Sequence, residues 1–130
     1  MSRQKIKYYL WFIFNIFFIL LINISCQKME NKIKIEFQYF EGCPNSDELY
    51  NNLKQAIVDY KNKIELKKIK INTPELAKQY KFRGSPTILI NGKDIEGMIE
   101  PLNPAVSCRY YPKGLPNAKF IKEKIENEIK

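Results

Sequence analysis

The stretch FRGSPTILI, Phe82 to Ile90, is where the chain declares its architecture. Its last four residues, Thr87-Ile88-Leu89-Ile90, are strand-like, and Asn91-Gly92 follows directly. That pair supplies the positive φ angles of a type I′ turn, so Lys93-Asp94-Ile95 forms the return arm of a hairpin. Ser85-Pro86 stands immediately before the first arm.

Upstream, Ile33 to Phe40 alternates apolar and polar residues, with Ile33, Ile35, Phe37 and Tyr39 on one face of a strand. The strand stops at Gly42-Cys43-Pro44. Pro44 suits the first turn of a helix, where its missing N–H is not needed. Leu49, Leu53, Ile57 and Tyr60 recur at helical spacing, with Asp47 and Glu48 early in the helix, where its dipole favours acids. The spacing predicts a helix running to about Lys61 and capped by Cys43. Ile64 to Ile71 returns to strand character. Thr73-Pro74-Glu75 reads as a cap with proline at the first helical position, opening a short helix through Tyr80.

Gly97 to Pro116 holds four of the seven prolines and no clear period, which marks a loop. Asn117 to Lys130 closes as a helix with Ala118, Ile121, Ile125 and Ile129 on one face. The order is β-α-β-α-β-β-α. A right-handed crossover makes the first two strands parallel, and the hairpin adds an antiparallel edge. The expected class is α/β with a mixed four-stranded sheet.

The first quarter of this 130-residue chain is different in kind. Arg3, Lys5 and Lys7 precede an apolar run from Tyr8 to Ile24, and Ser25-Cys26 follows. A basic start, an apolar core and a small residue make an export signal. The run lies near the lower limit of about 17 residues that can span a bilayer, so an uncleaved anchor is the alternative. Leu21-Ile22-Asn23-Ile24-Ser25-Cys26 resembles a bacterial lipobox, in which the cysteine, here Cys26, is lipidated. Asn23 departs from the aliphatic residue usual at its position. Residues 1–26 are therefore expected to be signal or anchor, 27–32 a polar tether, and 33–130 one small domain on the extracytoplasmic side of the cell membrane. The three leading cations keep the N-terminus inside.

The formal charge is +8, but the lysines are dispersed rather than gathered into a run, which reads as a solvated surface and not a nucleic-acid patch. Histidine is absent. That removes His-ligated metals, Ser-His and Cys-His nucleophilic dyads, and histidine bases. With Cys26 set aside, Cys43 and Cys108 remain, and outside the cytoplasm such a pair can bridge. A thiol at a helix N-terminus faces unpaired backbone N–H groups and the positive dipole end, which favour thiolate.

Cys43-Pro44-Asn45-Ser46 after the first strand, together with Arg83-Gly84-Ser85-Pro86-Thr87 before the hairpin, resembles the thioredoxin superfamily. The chain is most similar to small exported thioredoxin-like proteins with a GCPN start, a GSPT strand and a late cysteine followed by arginine. The resemblance covers roughly Ile33 to Lys130. It implies a three-layer sandwich, a cis Ser85-Pro86 bond beside the thiol, and thiol–disulfide exchange with protein or small-molecule thiols and disulfides. By the same resemblance Cys43 is the attacking thiol, Pro86 positions the substrate, and Ser46 hydrogen-bonds the thiolate. Ser46 stands where the family's second cysteine belongs, so the helix carries no dithiol of its own. In the thioredoxin-like order, the loop after Gly97 begins near the Cys43 end of the sheet, which brings Cys108 within reach as resolving partner. No cofactor, no resident metal and a monomeric domain are expected. Two alternatives stay open: a binding module holding a soft cation, Cu(I) or Hg(II), between Cys43 and Cys108, or a structural lipoprotein whose bridge only staples the loop.

Overall fold

The computed structural model describes residues 3–24 and 31–130. Cys26 and residues 27–30 of the expected tether lie outside the described residues. The chain divides into two compact units, Met1–Glu30 and Asn31–Lys130. The first contains one helix, α1 (Arg3–Ile24), on which Leu10, Trp11, Phe14 and Phe17 are all exposed. Among the described residues, no helix is long and apolar enough to cross a membrane.

The second unit follows the expected order: β1 (Ile33–Tyr39), α2 (Ser46–Ala56), β2 (Ile64–Lys70), α3 (Pro74–Gln79), β3 (Thr87–Ile90), β4 (Lys93–Asp94) and α4 (Ala118–Ile129). The sheet order is β2-β1-β3-β4, with β1 parallel to β2 and antiparallel to β3, and β3 antiparallel to β4. Asn91 and Gly92 both have positive φ, so the hairpin closes as the Asn-Gly pair requires.

The period-2 pattern of β1 sends Ile33, Ile35 and Phe37 to one face of the sheet. There they pack with Leu49, Leu53 and Ala56 of α2 and Ile121 and Ile125 of α4. The opposite face carries a smaller cluster of Ile69, Ile71, Ala77 and Phe82 beneath α3. This is a helix–sheet–helix arrangement of three layers. Each fully buried Ile, Leu or Phe contributes about 1.5–3 kcal/mol, so the larger cluster dominates stability. Thr73 caps α3 by accepting the Leu76 N–H at 3.2 Å, and Asn117 caps α4 by accepting the Phe120 N–H at 2.9 Å.

Helix α2 departs from the expectation at both ends. It starts at Ser46, after a turn in which the Ser46 N–H donates to the Cys43 carbonyl at 3.2 Å, so Pro44 lies before the helix. It stops at Ala56, and Val58–Lys63 continues as a 3₁₀ helix. Ile57 and Val58 are β-branched and Asp59 favours local turns, which weakens the α pattern there. Cys43 is therefore not the helix cap; Asn45 occupies that place.

Candidate active site

β1 and β3 lie side by side, and the loop leaving β1 meets the loop entering β3. Cys43 sits on the first and Ser85-Pro86 on the second, with the Ser85–Pro86 bond cis. The Phe40 N–H donates to Ser85 Oγ at 3.2 Å, which ties the two loops together. Ser85 Oγ also lies 3.2 Å from Ser46 Oγ, and the Cys43 thiol donates to the Ser85 carbonyl at 3.3 Å. Cys43 is 7% exposed and Ser85 fully buried.

The Pro-rich loop adds the second thiol. Around Cys108 it forms an isolated parallel β-bridge to Ser85. The Ser85 N–H donates to the Ser107 carbonyl and the Arg109 N–H to the Ser85 carbonyl, both at 2.8 Å. Cys108 is exposed, and its Sγ lies 3.8 Å from Cys43 Sγ with both thiols free. Cys43, Ser46, Ser85, Pro86 and Cys108 thus converge on one spot, although the two cysteines stand 65 positions apart.

Burial pushes the Cys43 thiol up, but hydrogen bonds from Ser85, Ser46, the Asn45 backbone and Cys108 together outweigh it and hold the thiol below its ordinary value. Cys108 moves the other way, because its thiol donates to Cys43, is partly desolvated and faces the developing Cys43 charge. The two thiols are therefore pushed apart, Cys43 below and Cys108 above the ordinary thiol value, and titrate as a couple. The lowering comes from the Ser85 and Ser46 side chains, the Asn45 backbone and the Cys108 thiol. Ser46→Ala is accordingly expected to raise the Cys43 midpoint toward the free-cysteine value of about 8.5, read from alkylation rate against pH. An unchanged midpoint would remove Ser46 from the site.

The sequence reading missed what holds Cys108 in place. The Arg109 guanidinium, its side chain 4% exposed, forms a two-pronged ion pair with Asp94, 0% exposed. It also reaches Glu96 Oε2 at 3.2 Å and Thr87 Oγ1 at 3.2 Å, and lies over the Tyr111 ring at 4.6 Å. Tyr111 Oη donates to the Pro86 carbonyl at 2.5 Å. Asp94 additionally accepts the N–H groups of Glu96 and Met98, so one carboxylate secures both arms of the loop. Burial raises the Tyr111 phenol far above its usual range, keeping it a neutral donor.

Gly84 explains how the loop approaches so closely. Its φ is +97°, and a Cβ there would lie 3.0 Å from Arg109 Cβ and 3.1 Å from the Arg109 backbone N and Cα. Gly84→Ala is expected to push residues 107–109 off Ser85 and to slow Cys43–Cys108 bridging about tenfold or more, measured as the rate of thiol loss under mild oxidant. An undisturbed rate would mean that the close approach does not set the sulfur separation.

A family model described as the thioredoxin domain matches residues 31–99, more than half of the chain. The chain belongs to the thioredoxin domain family. The matched part of this thioredoxin domain contains Cys43, Ser46 and Pro86 but ends before Cys108 and Arg109. The segment that supplies the second sulfur therefore lies outside the matched residues. Among curated proteins, none matches the chain. No group of three or more His, Cys, Asp or Glu among the described residues is placed to hold a metal ion.

Proposed function

We propose that this thioredoxin domain is a thiol–disulfide oxidoreductase working through a Cys43/Cys108 couple, with protein or small-molecule thiols and disulfides as partners. The observation that carries the reading is the 3.8 Å separation of two free sulfurs, one thiol lowered and the other raised in pKa. Bridging needs only a local approach of the two side chains, and a stabilised Cys43 thiolate makes the bridge easy to open. Ser46 hydrogen-bonds the Cys43 sulfur, and Pro86 positions the exchanging partner. The N-terminal segment tethers the domain outside the cytoplasm through a lipid on Cys26, a reading supported by the cations at 3, 5 and 7, the apolar run and Ser25-Cys26. Acyl-chain labelling lost in Cys26→Ser checks the tether.

The test of the redox reading is reduction of insulin disulfides and of a glutathione mixed disulfide by the full chain, with Cys43→Ser as control. The wild type is expected to turn over both and the variant neither. Equal rates would remove the catalytic claim.

A further inference from the structure

We infer that Cys108, not Cys43, is the sulfur that trades with external partners, and that Cys43 is the buried sulfur that opens and closes the bridge behind it. The inference rests on the couple proposed above and assigns the direction of traffic through it.

Access decides the polarity. Cys43 is buried between Ser46 and Ser85, both of which are themselves buried. Cys108 is exposed and borders an open groove of about 340 Å³, lined by Phe82, Arg83 and Gly84 on one side and by Met98, Ser107 and Tyr110 among others. Cys43 does not line this groove. An incoming sulfur attacks in line with the bond it breaks, so it needs free space behind the sulfur it strikes. Cys108, exposed at the groove, is open to an incoming sulfur, whereas Cys43 is buried.

Leaving-group chemistry points the same way. Exchange is faster when the expelled thiol has the lower pKa. Attack on Cys108 expels Cys43, whose thiolate is stabilised by the serine hydroxyls and the Asn45 backbone. Attack on Cys43 would expel Cys108, whose thiol is shifted upward.

In the reductive direction, an external thiolate attacks Cys108 Sγ of the bridged form. The Cys43–Cys108 bond breaks, a Cys108–partner disulfide forms, and Cys43 leaves as thiolate. A second external thiolate then attacks the partner sulfur, releasing Cys108 thiolate, which takes a proton from water, and an external disulfide. Two electrons pass from the two external thiolates to the protein bridge. In reverse, Cys108 gives its proton to solvent and attacks an external disulfide, expelling one thiolate. Cys43 thiolate next attacks Cys108 Sγ, closes the bridge and expels the second.

Full-length protein carrying Cys26→Ser, so that only two thiols remain, provides the test. The bridged form is exposed briefly to glutathione, quenched in acid and peptide-mapped. Glutathione is expected on Cys108 in about tenfold excess over Cys43. With glutathione disulfide, Cys43→Ser is expected to accumulate the adduct at Cys108, and Cys108→Ser to react at Cys43 about tenfold more slowly. Mapping the unsubstituted couple keeps the test decisive if either variant folds poorly. Adduct mainly on Cys43 would overturn the inference while leaving the couple intact. No exchange at either sulfur would overturn the inference and the redox reading together.

Discussion

Asp94→Ala is expected to destabilise the domain by about 3–5 kcal/mol, because it leaves the Arg109 guanidinium buried without its main partner. The Arg109 side chain is 4% exposed, so water cannot replace the lost carboxylate without a structural opening. Glu96 remains 3.2 Å away but is partly solvated and bonds only one of the nitrogens. The same change strands the Glu96 and Met98 N–H groups that Asp94 Oδ1 accepts. Urea unfolding of the reduced protein measures the loss, and a change below about 1 kcal/mol would show the pair to be replaceable. Since Arg109 also holds the segment that carries Cys108, bridging should slow in the same variant. Replacing Asp94 and Arg109 together by apolar residues of similar volume should recover much of the stability, as paired buried charges often allow.

Cys108→Ser is expected to lower steady-state disulfide exchange by about a hundredfold or more, because it removes an intramolecular step that the neighbouring sulfur makes effectively unimolecular. Ser46 cannot substitute: its hydroxyl is engaged with Ser85 Oγ and is no nucleophile at neutral pH. Turnover of glutathione mixed disulfide by the wild type and the variant measures this loss. A variant retaining more than about a tenth of the wild-type rate would mean that external thiols alone sustain exchange.

The sheet and most helices are legible in the sequence because their signals are local and periodic. Ile33, Ile35 and Phe37 alternate, Asn91-Gly92 demands a hairpin, and Thr73-Pro74 announces α3. The end of α2 was less legible, since Ile57 and Tyr60 keep the apolar period while the backbone tightens into a 3₁₀ turn. At the site, Cys43, Ser46 and Pro86 carry a recognisable pattern, and the chain order brings Cys108 toward them. The Asp94–Arg109 pair carries no such pattern. Asp94 ends a two-residue strand with ordinary surface composition, and Arg109 lies in a loop without period, so only the fold reveals that each is the other's buried counter-charge. Gly84 is similar: its need for a hydrogen side chain comes from the backbone of Arg109, far along the chain.

Cys43 and Cys108, as proposed above, form one reversible two-electron couple. Equilibrating the full chain in glutathione buffers of graded potential, then mapping its cysteines without reduction, measures this most directly. A single transition linking Cys43 to Cys108 is expected at a potential above about −300 mV, because an exposed sulfur and a stabilised Cys43 thiolate favour the reduced form. Unlinked cysteines across the whole range, or a bridge that persists below about −300 mV as structural staples do, would contradict it.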